Sequence, residues 1–226
     1  MGTNATILTD TADAIARLGL KDLGYTFVNS GAPPVPLPHR PLAIAEAGRA
    51  DDGWNGGRQK DASGKAGAHA PWVGDRGHFP DGMKAVADHI HGVGLKLGLY
   101  TARAQKTCGD RAGSCQNELL DAQRMDNWTV DYLKDDSCGG CRTGPDDEPH
   151  ADYEAMQSAI KSVEREIVLT CEGHPDVTKM YNNGCCGNVR RIGTDLSPQW
   201  QAVMSLVDHA AGLWPFAVSP ALFPSG

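Results

Sequence analysis

Acidic side chains recur in this sequence where short apolar runs stop: Asp51 and Asp52, Asp135 and Asp136, Glu172, and Asp195. The clearest case is Val130-Asp131-Tyr132-Leu133-Lys134-Asp135-Asp136-Ser137-Cys138, a β-prone run that ends abruptly in two carboxylates. In a parallel α/β sheet the carboxyl ends of strands are where ligand chemistry is placed. Lys134 stands two positions before Asp136, on the same face of a strand. A cation there would hold a carboxylate ionised, as a nucleophile requires. Asp136 is therefore the expected centre of a site and Asp135 its solvated neighbour; a merely capped strand end is the competing reading. No His-X-Glu-X-X-His or other metal-ligand spacing accompanies these acids, and Cys138-X-X-Cys141 has no second pair at zinc-ribbon spacing. His89, His91, His174 and His209 share no ligand spacing and read as surface or helix-face residues. Paired carboxylates without a metal suit glycosidic bond hydrolysis, in which one acid attacks or stabilises the anomeric carbon and the other moves a proton.

Such groups need a scaffold, and the periodicity supplies one. Thr9 is placed to cap a helix through Leu18, with Gly19 near its end, and Tyr25 to Asn29 reads as a strand. Residues 31–50 break the rhythm as a Pro-rich interruption that sustains neither element. From 81 to 93 Met83, Val86, Ala87, Ile90 and Val93 fall at helical spacing as a core stripe, and 95–100 is a strand. A helix over 118–128 feeds the Asp136 strand; 153–165 is a further helix, 167–172 a strand, 189–195 a shorter strand, and a helix begins near Pro198. Leu213 to Val218 starts like another strand before the prolines of the tail. This alternation predicts a parallel sheet with helical crossovers. A doubly wound sheet would fit too, but no Gly-X-Gly-X-X-Gly or phosphate loop is present.

With 226 residues the chain is long enough for one sizeable domain, or for most of a (β/α)8 barrel. A net charge of -7 without a basic run argues against nucleic-acid binding, and no apolar stretch reaches the length of a membrane span. Seven cysteines and two Asn-X-Thr sequons, at Asn4 and Asn127, hint at a secretory origin. No signal peptide is visible in the first residues, so either secretion information is missing or the chain is intracellular.

Six blocks in order carry a resemblance: Gly19-Leu20-Lys21-Asp22-Leu23-Gly24-Tyr25, Phe79-Pro80-Asp81-Gly82-Met83-Lys84, Gly94-Leu95-Lys96-Leu97-Gly98-Leu99-Tyr100, Lys106-Thr107-Cys108, Asp121-Ala122-Gln123 and the Asp131 to Cys138 run. Over residues 9–30 and 51–217 the chain resembles the α-galactosidases, or melibiases, of glycoside hydrolase family 27. The resemblance implies an α/β TIM barrel that is incomplete: the family's first strand, its last strands and its C-terminal β-sandwich have no counterpart. The expected organisation is 1–30 and 51–217 as a partial catalytic barrel, 31–50 as an insertion and 218–226 as an unrelated tail. Those two segments read as non-coding sequence carried into a conceptual translation, which transcript sequencing tests.

The resemblance also implies roles. Asp136 falls on the family's nucleophile and Lys134 on a sugar-binding cation. Arg191-Ile192-Gly193-Thr194-Asp195 reproduces the spacing from a substrate-binding Arg to the acid/base Asp, which makes Asp195 the acid/base and Arg191 a substrate ligand. Asp51, Asp52 and Trp54 match the block that grips the sugar, with Trp54 either a stacking platform or a core aromatic; Tyr100 and Glu172 match further pocket positions. Glu172 favours galactose over N-acetylgalactosamine. The implied reaction is retaining double displacement, with the two carboxyls about 5 to 5.5 Å apart, no metal and no cofactor. Cys108 and Cys138 match a family disulfide; Cys171 could pair with Cys185 or Cys186, which leaves Cys115 with Cys141. Gly53 stands where the family has Cys and Ala102 where it has Asp, so the pattern is not kept throughout. The implied partner is a galactose-containing oligosaccharide or glycoconjugate, and the implied location secreted, vacuolar or lysosomal. The related β-L-arabinopyranosidase and α-N-acetylgalactosaminidase activities, and an inactive carbohydrate-binding fragment, are the alternatives.

Overall fold

Strands rich in branched and aromatic residues alternate here with amphipathic helices, and the helices bury one stripe each against the sheet. The computed structural model describes residues 3–30, 52–60, 62–65, 69–141, 149–172, 187–193 and 195–217. The insertion 31–50, the tail 218–226, Asp51, His174, Cys185 and Cys186 lie outside them.

In chain order the elements are α1 (Ala5–Arg17), a 3-10 turn, β1 (Phe27–Asn29), β2 (Asn55–Arg58), β3 (Trp72–Gly74), α2 (Met83–Gly92), β4 (Lys96–Ala102), α3 (Glu118–Asn127), β5 (Tyr132–Asp136), α4 (Pro149–Lys161), β6 (Val168–Cys171), β7 (Val189–Arg190) and α5 (Trp200–Ala217). Strands β1, β4, β5, β6 and β7 lie side by side in that order, every neighbouring pair parallel, while β2 and β3 form a separate antiparallel pair. The sheet is a partial TIM barrel, five consecutive parallel strands with helical crossovers. Its register sets Ala102 beside Asp136 and Asp135 beside Cys171, so the carboxyl ends of β4, β5 and β6 lie level.

The expected helix stripe over 81–93 is core: Met83, Val86, Ala87 and Ile90 are buried on α2. Leu8 and Ala12 on α1, Ala122 and Met125 on α3, and Tyr153, Met156, Ala159 and Ile160 on α4 complete the helical side of the same cluster. Each large apolar side chain so buried contributes roughly 1.5–3 kcal/mol. Gly98 on β4 is required by a close approach, because a Cβ there would run into Asn29 Oδ1 and the Tyr132 ring.

Several boundaries differ from expectation. The cap of α1 is Asn4, whose Oδ1 accepts from the Ile7 N–H at 2.9 Å, and Thr9 lies inside the helix with its hydroxyl donating to the Ala5 carbonyl. The first strand begins at Phe27 rather than Tyr25, and β7 covers two residues of the expected 189–195. Leu213 to Ala217 belongs to α5, because helix propagation from Trp200 overrides the local β preference.

Candidate active site

Asp136 closes β5, and its two oxygens are held by two neutral donors. The Tyr100 hydroxyl, from the neighbouring β4, donates to Oδ2 at 2.8 Å, and the Ser137 backbone N–H donates to Oδ1 at 2.7 Å. Tyr100 is buried, and burial, then the Asp136 charge, pushes its pKa up, so the phenol keeps the proton it donates. Disulfides Cys108–Cys138 and Cys115–Cys141 tie the segment after β4 to the segment after β5, as expected for both pairs. Cys108 Sγ lies 3.4 Å from Asp136 Oδ2, so one bridge forms part of the wall beside the carboxylate.

The next two strands carry a chain of alternating charges. Lys134 Nζ is 3.4 Å from Glu172 Oε1, Arg191 Nη1 is 3.2 Å from Glu172 Oε2, and Arg191 Nη2 is 2.6 Å from Asp195 Oδ1. The Arg191 Nε also donates to the Gly193 carbonyl, which fixes the guanidinium plane. Burial acts to lower the Arg191 pKa, but the facing carboxylates of Asp195 and Glu172 outweigh it and raise it. Burial raises the Glu172 pKa from 4.5 against the pull of Lys134 and Arg191. Asp195 is tethered by that arginine and otherwise open, its side chain 96% exposed.

On the other flank, Asp52 Oδ2 accepts from the Thr107 hydroxyl and from the Gly109 N–H at 2.6 Å. Asp52 also raises the Tyr100 pKa through its charge, which puts it in the same electrostatic neighbourhood.

Three expectations are corrected. Lys134 does not pair with Asp136: its ammonium faces Glu172 and lies 5.4 Å from the centre of the Tyr100 ring. Both Lys134 and Asp136 share a face of β5, as the strand period requires, but the neighbouring strand supplies the nearer carboxylate. Trp54 is core and not a sugar platform. It is wholly buried, with Trp72 and Trp128 set edge-on against it and its Nε1–H donating to the Tyr100 carbonyl at 2.9 Å. Asp135 is not solvated. It points to the helix side, fully buried, with neither oxygen hydrogen-bonded among the described residues, and burial followed by Glu118 and Asp136 pushes its pKa well above 3.8.

Cys138 and Cys141 are committed to different disulfides, so they offer no thiolates for zinc. Cys108, Asp136 and Cys138 cluster within 4.8 Å, but two of the three are the same bridge. Cys171 is buried and forms no disulfide among the described residues, and the cysteines expected to pair with it, Cys185 and Cys186, lie outside them. His91 is partly buried and pairs with Asp131 at the opposite end of β5, while His89 pairs with Asp13 on the surface. Among the described residues no helix is long and apolar enough to cross a membrane. Residue-by-residue reading missed Ser137, Thr107 and the Gly109 N–H as contacts of the site's acids, since a backbone donor leaves no mark in side-chain chemistry.

Residues 48–219 match the family model described as Alpha galactosidase A. The chain is 32% identical over 213 residues to "Alpha-galactosidase A" of Cellvibrio japonicus, covering 93% of this chain and 43% of that protein. It is 32% identical over 196 residues to "Alpha-galactosidase" of Lachancea cidri, covering 86% and 36%. Its fold superposes on the α-galactosidase of Saccharomyces cerevisiae with a TM-score of 0.68 at 30% identity, over 87% of this chain and 38% of that one. The same yeast enzyme has also been solved with raffinose, at a TM-score of 0.67 and 29% identity over the same shares. The chain thus spans less than half the length of these relatives. With the family model spanning most of its residues and the fold superposing on that of a yeast α-galactosidase, this chain belongs to the melibiases of glycoside hydrolase family 27.

Proposed function

We propose that this chain carries the catalytic carboxylates of a retaining α-galactosidase, with Asp136 as nucleophile and Asp195 as acid/base. The observation that carries the reading is the Asp136 carboxylate at the end of β5, gripped by Tyr100 and Ser137 beside the Lys134–Glu172–Arg191–Asp195 charge chain. An Asp136 oxygen attacks the anomeric carbon while Asp195 gives its proton to the glycosidic oxygen, and the carbon–oxygen bond to the leaving group breaks. Water then attacks the glycosyl ester with Asp195 taking its proton, the ester bond breaks, and both acids return to their starting states.

The hydroxyls of the sugar have matching partners on both flanks. Asp52 and Lys134 suit hydroxyl recognition, with Asp51 expected alongside. Glu172 and Arg191 suit a free 2-hydroxyl, and so galactose in preference to its N-acetylated form. Donors that strengthen on a developing charge are worth more than uniform binding. The substrate class is a terminal α-galactosyl oligosaccharide or glycoconjugate, and the expected location is secreted, vacuolar or lysosomal. The barrel comprises 1–30 and 51–217, with 31–50 and 218–226 extraneous to it.

Release of nitrophenol from p-nitrophenyl α-galactoside, and of galactose from raffinose, by the 226-residue chain tests this. Turnover lost in both Asp136→Asn and Asp195→Asn is the expected result. A well-folded chain that binds galactose without turnover would instead make it a carbohydrate-binding fragment, and turnover of the arabinopyranoside or N-acetylgalactosaminide alone would move it to one of the related activities.

A further inference from the structure

We propose that Arg103 is a positioning residue for the Asp136 nucleophile, acting through Ser137; this rests on the catalytic reading of Asp136 above. Arg103 lies just past the end of β4 and is 4% exposed. Its backbone N–H donates to the Asp136 carbonyl at 3.0 Å. Among the described residues its guanidinium reaches two further groups at once: Nη1 bonds Asp152 Oδ2 on α4 at 2.7 Å, and Nε donates to Ser137 Oγ at 2.9 Å. Ser137 in turn gives its N–H to Asp136 Oδ1 at 2.7 Å. A continuous polar path thus runs from α4 through Arg103 and Ser137 to a nucleophile oxygen.

The chemistry of the path is specific to a guanidinium. A planar fork can bond an acid with one nitrogen and a hydroxyl with another, whereas an ammonium is a single point charge on a flexible stem. Asp135 is buried nearby with neither oxygen hydrogen-bonded among the described residues, so it does not take the guanidinium from Asp152. The Asp152 pair anchors Arg103, and the anchored Nε fixes the turn that follows β5. That turn sets where the Ser137 N–H points, and with it the orientation of the Asp136 carboxylate. Small misplacements of a reacting group are expensive, on the order of a hundredfold for about 1 Å.

A purely structural role would only tie α4 to the sheet, and two variants separate the two roles. Arg103→Lys keeps a cation opposite Asp152 and loses the bond to Ser137. Ser137→Ala loses the same bond from the other side and leaves the Arg103–Asp152 pair in place. Each is expected to lower kcat on p-nitrophenyl α-galactoside about tenfold with KM changed less than about twofold, since Asp52, Lys134, Glu172 and Arg191 are untouched. The double variant is expected to be no worse than the worse single one, because both remove one bond. A second readout needs no turnover: in the wild type the Ser137 amide proton resonance shifts as Asp136 titrates, and in Arg103→Lys that coupling is lost with the rest of the spectrum preserved. Wild-type kcat in both folded variants, additive losses in the double variant, or a retained amide coupling would overturn the proposal. An inactive wild type whose amide coupling is lost in Arg103→Lys would overturn the galactosidase reading and leave the tether standing.

Discussion

The two catalytic candidates are held in opposite ways. Around Asp136 the fixings are neutral and short-ranged: a buried tyrosine hydroxyl, a backbone N–H and a disulfide packed against the carboxylate. Around Asp195 they are ionic, a single arginine bridging an exposed carboxylate and a half-buried glutamate. A group that must attack one carbon gains from a fixed geometry, because hydrogen bonds to buried partners cost no reorganisation during reaction. A group that must give a proton and then take one back gains from access to water and from freedom to move. On the proposed roles, the β4–β5 side of the site is built for placement and the β6–β7 side for exchange.

That contrast can be broken by experiment, and the largest effects belong to the β4–β5 side. Replacing Cys108 and Cys138 together by serine removes a cross-link between residues 30 apart in sequence. The expected cost is about 2–4 kcal/mol of stability, read from the denaturant midpoint. Tyr100→Phe removes one of the two donors to Asp136 and is expected to lower kcat about a hundredfold, in the range seen for deleting a single preorganised donor. If kcat is unchanged, the neutral grip on Asp136 has no catalytic role. On the other side, Arg191→Lys replaces the fork that spans Glu172 and Asp195 and is expected to cost about tenfold in kcat/KM. The smallest effect is that of salt. At about 0.5 M salt the exposed Arg191–Asp195 pair is screened, and activity is expected to fall no more than a few-fold, with Tyr100→Phe and the wild type affected alike.

The far end of β5 supplies a control that touches neither side. Asp131 is hydrogen-bonded by His91, Arg165 and the Leu97 N–H; burial acts to raise its pKa, but these donors outweigh it and hold it below 3.8. A depressed folded pKa gives stability that is full above the unfolded value and is lost as pH falls through the folded one. The stability gap between the wild type and Asp131→Asn should thus be widest above about pH 4 and close in stronger acid. A gap that stays constant down to pH 2 would show that Asp131 is not charged in the folded chain.

Much of this was legible in residue types and spacing. Apolar periodicity marks the strand that carries Tyr100, the one that ends at Asp136 and the one that stops just before Glu172, and the period of a strand puts Lys134 and Asp136 on one face. The family resemblance singled out Arg191 and Asp195 four positions apart, and the structure joins them in an ion pair at 2.6 Å. What stayed hidden depends on neighbours far away in the chain. Trp54 sits beside two acids in sequence, yet it is enclosed by Trp72 and Trp128, which arrive from a hairpin strand and a helix end. Asp135 looks like a twin of Asp136, yet one position along a strand is enough to turn it from the site to the helix layer.

The sequence by itself determined the five parallel strands, the helices between them and which strand end carries the nucleophile candidate, because hydrophobic period and turn chemistry are local properties. Only the tertiary structure decided who faces whom: Lys134 with Glu172 rather than Asp136, Tyr100 with Asp136, and Arg103 between Asp152 and Ser137. Those pairings follow from the order and register of parallel strands joined by helical crossovers. Register is set by packing across the whole sheet and leaves no mark on any one stretch of chain.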